Sequence, residues 1–186
     1  MVADPGAGAE LDGGSPTAAS RSRYRTPMPD YSDTELRNLH VVRQFLNEEP
    51  PPVDKSMLFA EDGVWWNGLP LAHSEGRTEH RGRHEIRKLL PSQTTHVRLP
   101  PGRDKYDMST ARTTDVITLA DGDYVVRQQN FSARTVNGRE YRNTYCFVFR
   151  FNDAGEIAYL TEHWNTWHAY NVLFNNFDME PAHPEG

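Results

Sequence analysis

The stretch Arg139–Asn176, REYRNTYCFVFRFNDAGEIAYLTEHWNTWHAYNVLFNN, limits what this chain can fold into more than any other. It opens on a run, Arg139 to Phe151, rich in aromatic and β-branched side chains. Asn152, Asp153 and Gly155 supply a turn signal, and a second run follows from Glu156 to Trp164. Two such runs around a short polar, Gly-bearing loop predict an antiparallel hairpin. With a side-chain period of two, Ala158, Leu160, Glu162 and Trp164 share one face of the second arm, and Ile157, Tyr159, Thr161 and His163 share the other. Glu162 is therefore a carboxylate late in an aromatic strand, where its charge would be desolvated. Burying such a charge is costly, and the position calls for a reason.

The rest of the chain supplies elements to pack against that hairpin. Ser32-Asp33-Thr34-Glu35 offers caps, and Leu36, Leu39, Val42, Phe45 and Leu46 recur at helical spacing, which predicts a helix from Asp33 to Glu48. Pro50-Pro51-Pro52 ends it. A short helix is expected over Asp54–Phe59, then Glu61-Asp62-Gly63, a strand over Val64–Asn67 and a loop over Gly68–Glu79. Gly82–Leu90 reads as a third helix with Ile86, Leu89 and Leu90 on its apolar side. Thr94–Leu99 is a strand start, Arg112–Leu119 a strand, Asp121-Gly122 a turn and Asp123–Thr135 the next strand. Asn137-Gly138 is the strongest hairpin signal in the chain, and Asn165–Phe174 turns helical. Helices on one side of a curved antiparallel sheet make an α+β cone with three N-terminal helices, and such a cone leaves an apolar pocket between the layers.

Composition narrows the partners. The 186 residues allow one sizeable domain, assigned here to residues 31–177, with residues 178–186 as a short tail. Residues 1–30 are rich in Gly, Ala, Ser and Pro without apolar periodicity and are expected to be a disordered tail. They lack the apolar core of a secretory signal. A net charge of −6 argues against nucleic acid as the main partner. No run approaches the roughly 20 apolar residues of a membrane span. The single cysteine, Cys146, cannot form an internal disulfide, which suits the cytoplasm. No Gly-rich phosphate motif follows a strand, so no nucleotide cofactor is expected.

The motifs resemble those of a known group. Asn38-x-x-x-Val42, Leu58-Phe59-x-Glu61-Asp62-Gly63, Arg81-Gly82, Asn143-x-Tyr145, Gly155-x-Ile157 and Glu162-x-x-Asn165 occur in this order from about Asp33 to Leu173. In element order and motif spacing the chain is similar to the nuclear-transport-factor-2-like, or SnoaL-like, superfamily, and within it to the phenazine-biosynthesis A/B proteins. The resemblance implies a homodimer whose cavities bind a small cyclic or polyketide-like metabolite and act by general acid–base catalysis without a cofactor. Glu162 matches the family's acid–base glutamate. In the condensing members a histidine on the third helix faces that glutamate. Here that side reads Ile86, Leu89 and Leu90, and His84 lies nearer the helix start.

For Glu162 two roles stand side by side. In a water-poor pocket its carboxyl would be pushed towards neutrality, where it can both give and take a proton. Otherwise it pairs with Arg142 or Arg127 on neighbouring strands. His96 is a candidate second acid–base group or a turn histidine. Trp65, Asn143, Tyr145, Trp164 and Asn165 are the candidate substrate contacts, Asn143 and Tyr145 because they share a face and carry polar tips. His80-x-x-x-His84 and His163-x-x-x-x-His168 have spacings seen in metal sites, but no acidic or cysteine ligand completes either, so no metal is expected. These residues suggest an enzyme of specialised metabolism that condenses, cyclises, isomerises or dehydrates a cyclic intermediate. The rival is a member of the same fold that only binds a metabolite or forms a dimer scaffold.

Overall fold

The computed structural model describes residues 30–68, 78–90 and 106–173. The expected tails (apart from Asp30), the Thr94–Leu99 strand and His96 lie outside the described residues. The chain begins with α1 (Asp33–Phe45), closed by a capping box: Ser32 Oγ accepts from the Glu35 N–H at 3.3 Å, and the Glu35 carboxylate accepts from the Ser32 N–H at 2.8 Å. The helix stops at Phe45 rather than Glu48, because Asn47 takes a left-handed φ of 60° that no helix continues. Its Leu39, Val42 and Phe45 are buried. One 3₁₀ turn, Lys55–Leu58, replaces the expected short helix and leads into β1 (Phe59–Trp66).

Next come β2 (Glu79–Arg81), α2 (Arg83–Leu89) and four long strands, β3 (Tyr106–Asp121), β4 (Tyr124–Thr135), β5 (Glu140–Phe151) and β6 (Ile157–His163). The chain then turns into α3 (Thr166–Leu173). The strands form one curved, unclosed sheet in the order β2-β1-β6-β5-β4-β3. This is the expected α+β cone, with one difference in strand direction. Every neighbouring pair is antiparallel except β1–β6, which run parallel. The meander strands are joined by tight turns that force antiparallel pairing, whereas β1 and β6 meet from distant parts of the chain and are free of that constraint.

β1 starts earlier than expected. Glu61-Asp62-Gly63 is not a lead-in but a bulge within the strand, where pairing to β6 shifts register between Phe59 and Val64. β2, an unexpected strand that begins at the last residue of the expected loop, pairs with the end of β1. The core lies on the sheet face that meets the helices, with Phe59, Ile86, Val125, Tyr141, Phe149, Ile157, Leu160 and Leu173 all wholly buried.

Candidate functional site

Strand alternation places Tyr141, Asn143, Tyr145, Phe147, Phe149 and Phe151 of β5 on this inner face. Register then fixes their neighbours. On β4, Phe131, Gln129 and Arg127 lie opposite Asn143, Tyr145 and Phe147. On β6, Leu160 and Glu162 lie opposite Phe149 and Phe147. Trp65 of β1 lies opposite Leu160, and His80 of β2 opposite Trp65. Five strands thus bring His80, Trp65, Glu162, Tyr145, Asn143 and Gln129 onto one surface.

The face is built in two tiers. Its floor is aromatic and dry: the Phe45 ring meets Phe149 edge-on at 5.6 Å, Trp65 at 5.8 Å and Phe59 at 5.9 Å. Above it, Phe147, Tyr145 and Trp164 form a tower. Tyr145 stacks on Phe147 at 5.6 Å and 3°, and Trp164 stacks on Tyr145 at 5.5 Å and 17°. Trp164 is held in place by its Nε1, which donates to the Asn67 carbonyl at 2.6 Å. The second tier is polar. Tyr141 and Tyr145 hydroxyls lie 2.7 Å apart, and Asn143 Nδ2 donates to Tyr141 Oη at 2.8 Å. Tyr106 makes a further hydrogen bond to Tyr141.

Glu162 is half-buried beside this tier. Burial, then neighbouring tyrosines and the Glu162 charge, push the Tyr145 hydroxyl far up. Tyr141 is raised chiefly by burial, with the Glu162 charge a smaller cause. Both therefore stay protonated and serve as hydrogen-bonding groups. The two arginines proposed as partners for Glu162 are engaged with other carboxylates. Arg127, buried, pairs with Glu48 and also donates to Gln129 and Thr118, while Arg142 pairs with Glu140.

The remaining candidates scatter. Asn165 caps α3, its Oδ1 accepting from the His168 N–H at 3.0 Å. His84 is exposed on α2, whereas His80 is buried on the inner face, so the pair does not converge. His163 lies on the outer face against Trp66 at 5.2 Å, and His168 packs on Tyr141 at 5.4 Å. Among the described residues no group of three or more His, Cys, Asp or Glu side chains is placed to hold a metal ion. A cavity of 670 Å³ lies at this end of β4 and β5, lined by Thr114, Asn130, Ser132, Arg142 and Thr144 and also by Phe131 and two of the candidate contacts, Asn143 and Asn165.

Sequence reasoning missed Asn67, Gln129, Tyr106 and Tyr141, and weighed His80 only as half of a metal-type spacing. Tyr141 shares the period of Asn143 and Tyr145, so extending the alternation by one step finds it. Gln129 follows from pairing β4 with β5 across the Asn137-Gly138 turn. The place of His80 on the inner face had no signal, because a three-residue strand carries no period to read.

The model of the SnoaL-like domain family matches residues 56–160, more than half of the chain, and ends just before Glu162. Among solved structures, a protein described as a SnoaL-like polyketide cyclase from Jannaschia sp. CCS1 is 12% identical. It is covered over 96% of its length by 78% of this chain, with a TM-score of 0.56. A phenazine biosynthesis-related protein from Pseudomonas aeruginosa is 15% identical, with 86% of this chain and 96% of that one covered and a TM-score of 0.52. An NTF2-like protein of unknown function from Burkholderia pseudomallei K96243 is 18% identical, with 74% and 97% covered and a TM-score of 0.54. At these identities the likeness is one of fold. Among curated proteins none matches.

Proposed function

This chain belongs to the SnoaL-like domain family, and we propose that it is a cytoplasmic, cofactor-independent enzyme of specialised metabolism. It would bind a cyclic or polyketide-like intermediate in the aromatic cone and move a proton in a condensation, cyclisation, isomerisation or dehydration. One observation carries this reading: Glu162 stands on the inner face opposite Phe147 and diagonal to Tyr145, whose hydroxyl remains protonated and is hydrogen-bonded to that of Tyr141. A carboxylate flanked by apolar walls and hydrogen-bond donors is equipped to take a proton while a neighbouring donor stabilises the resulting oxyanion. The family resemblance adds a homodimer, and no helix among the described residues is long and apolar enough to cross a membrane.

The test is proton exchange. Cyclic ketones incubated with the protein in D₂O are expected to gain deuterium next to the carbonyl faster than in buffer, followed by NMR. Glu162→Gln is expected to lower that rate by about 10²–10⁴-fold with unchanged thermal unfolding. Exchange at the buffer rate for every ketone would instead leave the non-catalytic binding or scaffold reading.

A further inference from the structure

Residues directly opposite one another on paired strands share a face, and on β3, β4 and β5 the residues turned away from the helices fall into rows. Leu119, Val126 and Val148 form one row at the apolar end. Further along come Thr114, Asn130 and Thr144, and beyond them Arg112, Ser132 and Arg142. Within a few residues the surface passes from apolar, through amide and hydroxyl, to cationic. All three residues of the middle row, with Ser132 and Arg142, line the 670 Å³ cavity.

The middle row is closed on itself. Thr144 Oγ1 donates to Asn130 Oδ1 at 2.7 Å. Asn130 Nδ2 donates to Asp115 Oδ2 at 2.7 Å, and Thr114 Oγ1 donates to the same oxygen at 3.0 Å. Asp115, at the bulge of β3 with a left-handed φ of 52°, is thus engaged within the row. The cationic row is open. Among the described residues Arg112 makes no hydrogen bond or ion pair, and the Ser132 hydroxyl makes no hydrogen bond within the chain. Arg142, its side chain 78% exposed, meets Glu140 through a single contact of 3.4 Å. Such a surface pair holds little.

Two guanidinium groups therefore flank a free hydroxyl, carried on strands that each lie about 4.8 Å from that of Ser132. An arginine stem is longer than that spacing, so both forks can meet above Ser132, and an anion between them relieves their mutual repulsion. Glu140 selects which anion. A ligand carboxylate would compete with it for Arg142 on equal terms. A phosphate monoester brings close to two charges and three acceptor oxygens, which suit two forks and a hydroxyl. The cavity beside the row has room for the organic part. We propose that this end of the sheet is a second binding site, for a small phosphate monoester, with Arg112 and Arg142 clamping the phosphate over Ser132. It stands independently of Glu162 and of any ligand on the inner face.

Phenyl phosphate is the probe and benzoate its comparison, each titrated into the full chain and followed by amide and arginine side-chain NMR. The Nε–H signals of Arg112 and Arg142 and the amide of Ser132 should shift together, with phenyl phosphate bound more tightly than benzoate. Arg112→Gln and Arg142→Gln should each weaken phenyl phosphate about tenfold, the loss expected for a charge-assisted hydrogen bond. Arg150→Gln removes the same charge from the far end of β5, opposite Tyr124, and should leave binding unchanged. Equal affinity for benzoate overturns the phosphate assignment. Equal weakening by Arg150→Gln means attraction to diffuse charge, and the site falls. Shifts confined to Tyr145 and Trp164, or no shift at millimolar phenyl phosphate, overturn it as well.

Discussion

Lys55 lies against the last turn of α1, its Nζ donating to the Phe45 carbonyl at 2.7 Å and standing 5.7 Å from the Phe45 ring. Burial lowers its pKa from the ordinary 10.5 to about 8. Between these two values the unfolded chain binds a proton on Lys55 that the folded chain does not, so stability rises with pH across the window. Below about 8 both states carry the proton and the contribution is constant at its lowest. The unfolding free energy of the wild type relative to Lys55→Met should therefore move in the wild type's favour from pH 7 to pH 10.5, measured by urea denaturation at each pH. A flat difference would mean that Lys55 keeps its charge at ordinary values. Nothing in the sequence marks this residue, since its setting depends on where α1 ends. Glu162, Tyr145, Asn143 and Trp164 were legible for the opposite reason: each follows from the period of its own strand or of the residues that continue it. His80 enters the same face only through pairing with a strand distant from the meander.

At the level of elements, the turns were the readable part. Gly122 and Gly138 take φ of 55° and 83°, the left-handed values that Asp-Gly and Asn-Gly dipeptides advertise. The four meander strands and both flanking helices follow from them and from hydrophobic period. The β1–β6 contact was not readable, because parallel pairing between distant segments leaves no local trace. Its geometry depends on Gly63. A Cβ there would stand 2.9 Å from the carbonyl oxygens of both Ala60 and Ile157, backbone atoms of the bulge and of the partner strand. Gly63→Ala is expected to cost about 2 kcal/mol or more of stability in chemical denaturation. It should also weaken ligand binding, because β1 carries Trp65 to the inner face. Wild-type stability in that variant would mean that the bulge relaxes without disturbing β6.

For the molecule as a whole, the sheet face turned away from the helices is the remaining apolar surface. Ile117 and Leu119 of β3 and Tyr124 of β4 are 51%, 57% and 49% exposed, and by register they adjoin the half-buried Val126 and Val148. A contiguous patch of this kind on a sheet is the natural seat of the proposed homodimer. Light scattering coupled to size exclusion should give twice the chain mass for the wild type and the chain mass for Leu119→Arg. A monomeric wild type at tens of micromolar would remove the dimer from the reading. In the proposed reading the inner sheet face takes a ligand and the outer one a second copy. One further property follows from the way Trp164 is held, stacked on Tyr145 with its Nε1 tied to Asn67. If the inner face is the ligand site, its wall contains an immobilised fluorophore, and indole emission responds to the polarity and quenchers around it. Trp167, 66% exposed on α3, is expected to emit at the long-wavelength end of the indole range. A search for the natural ligand can therefore be run on the unlabelled chain, with light from its own wall as the signal.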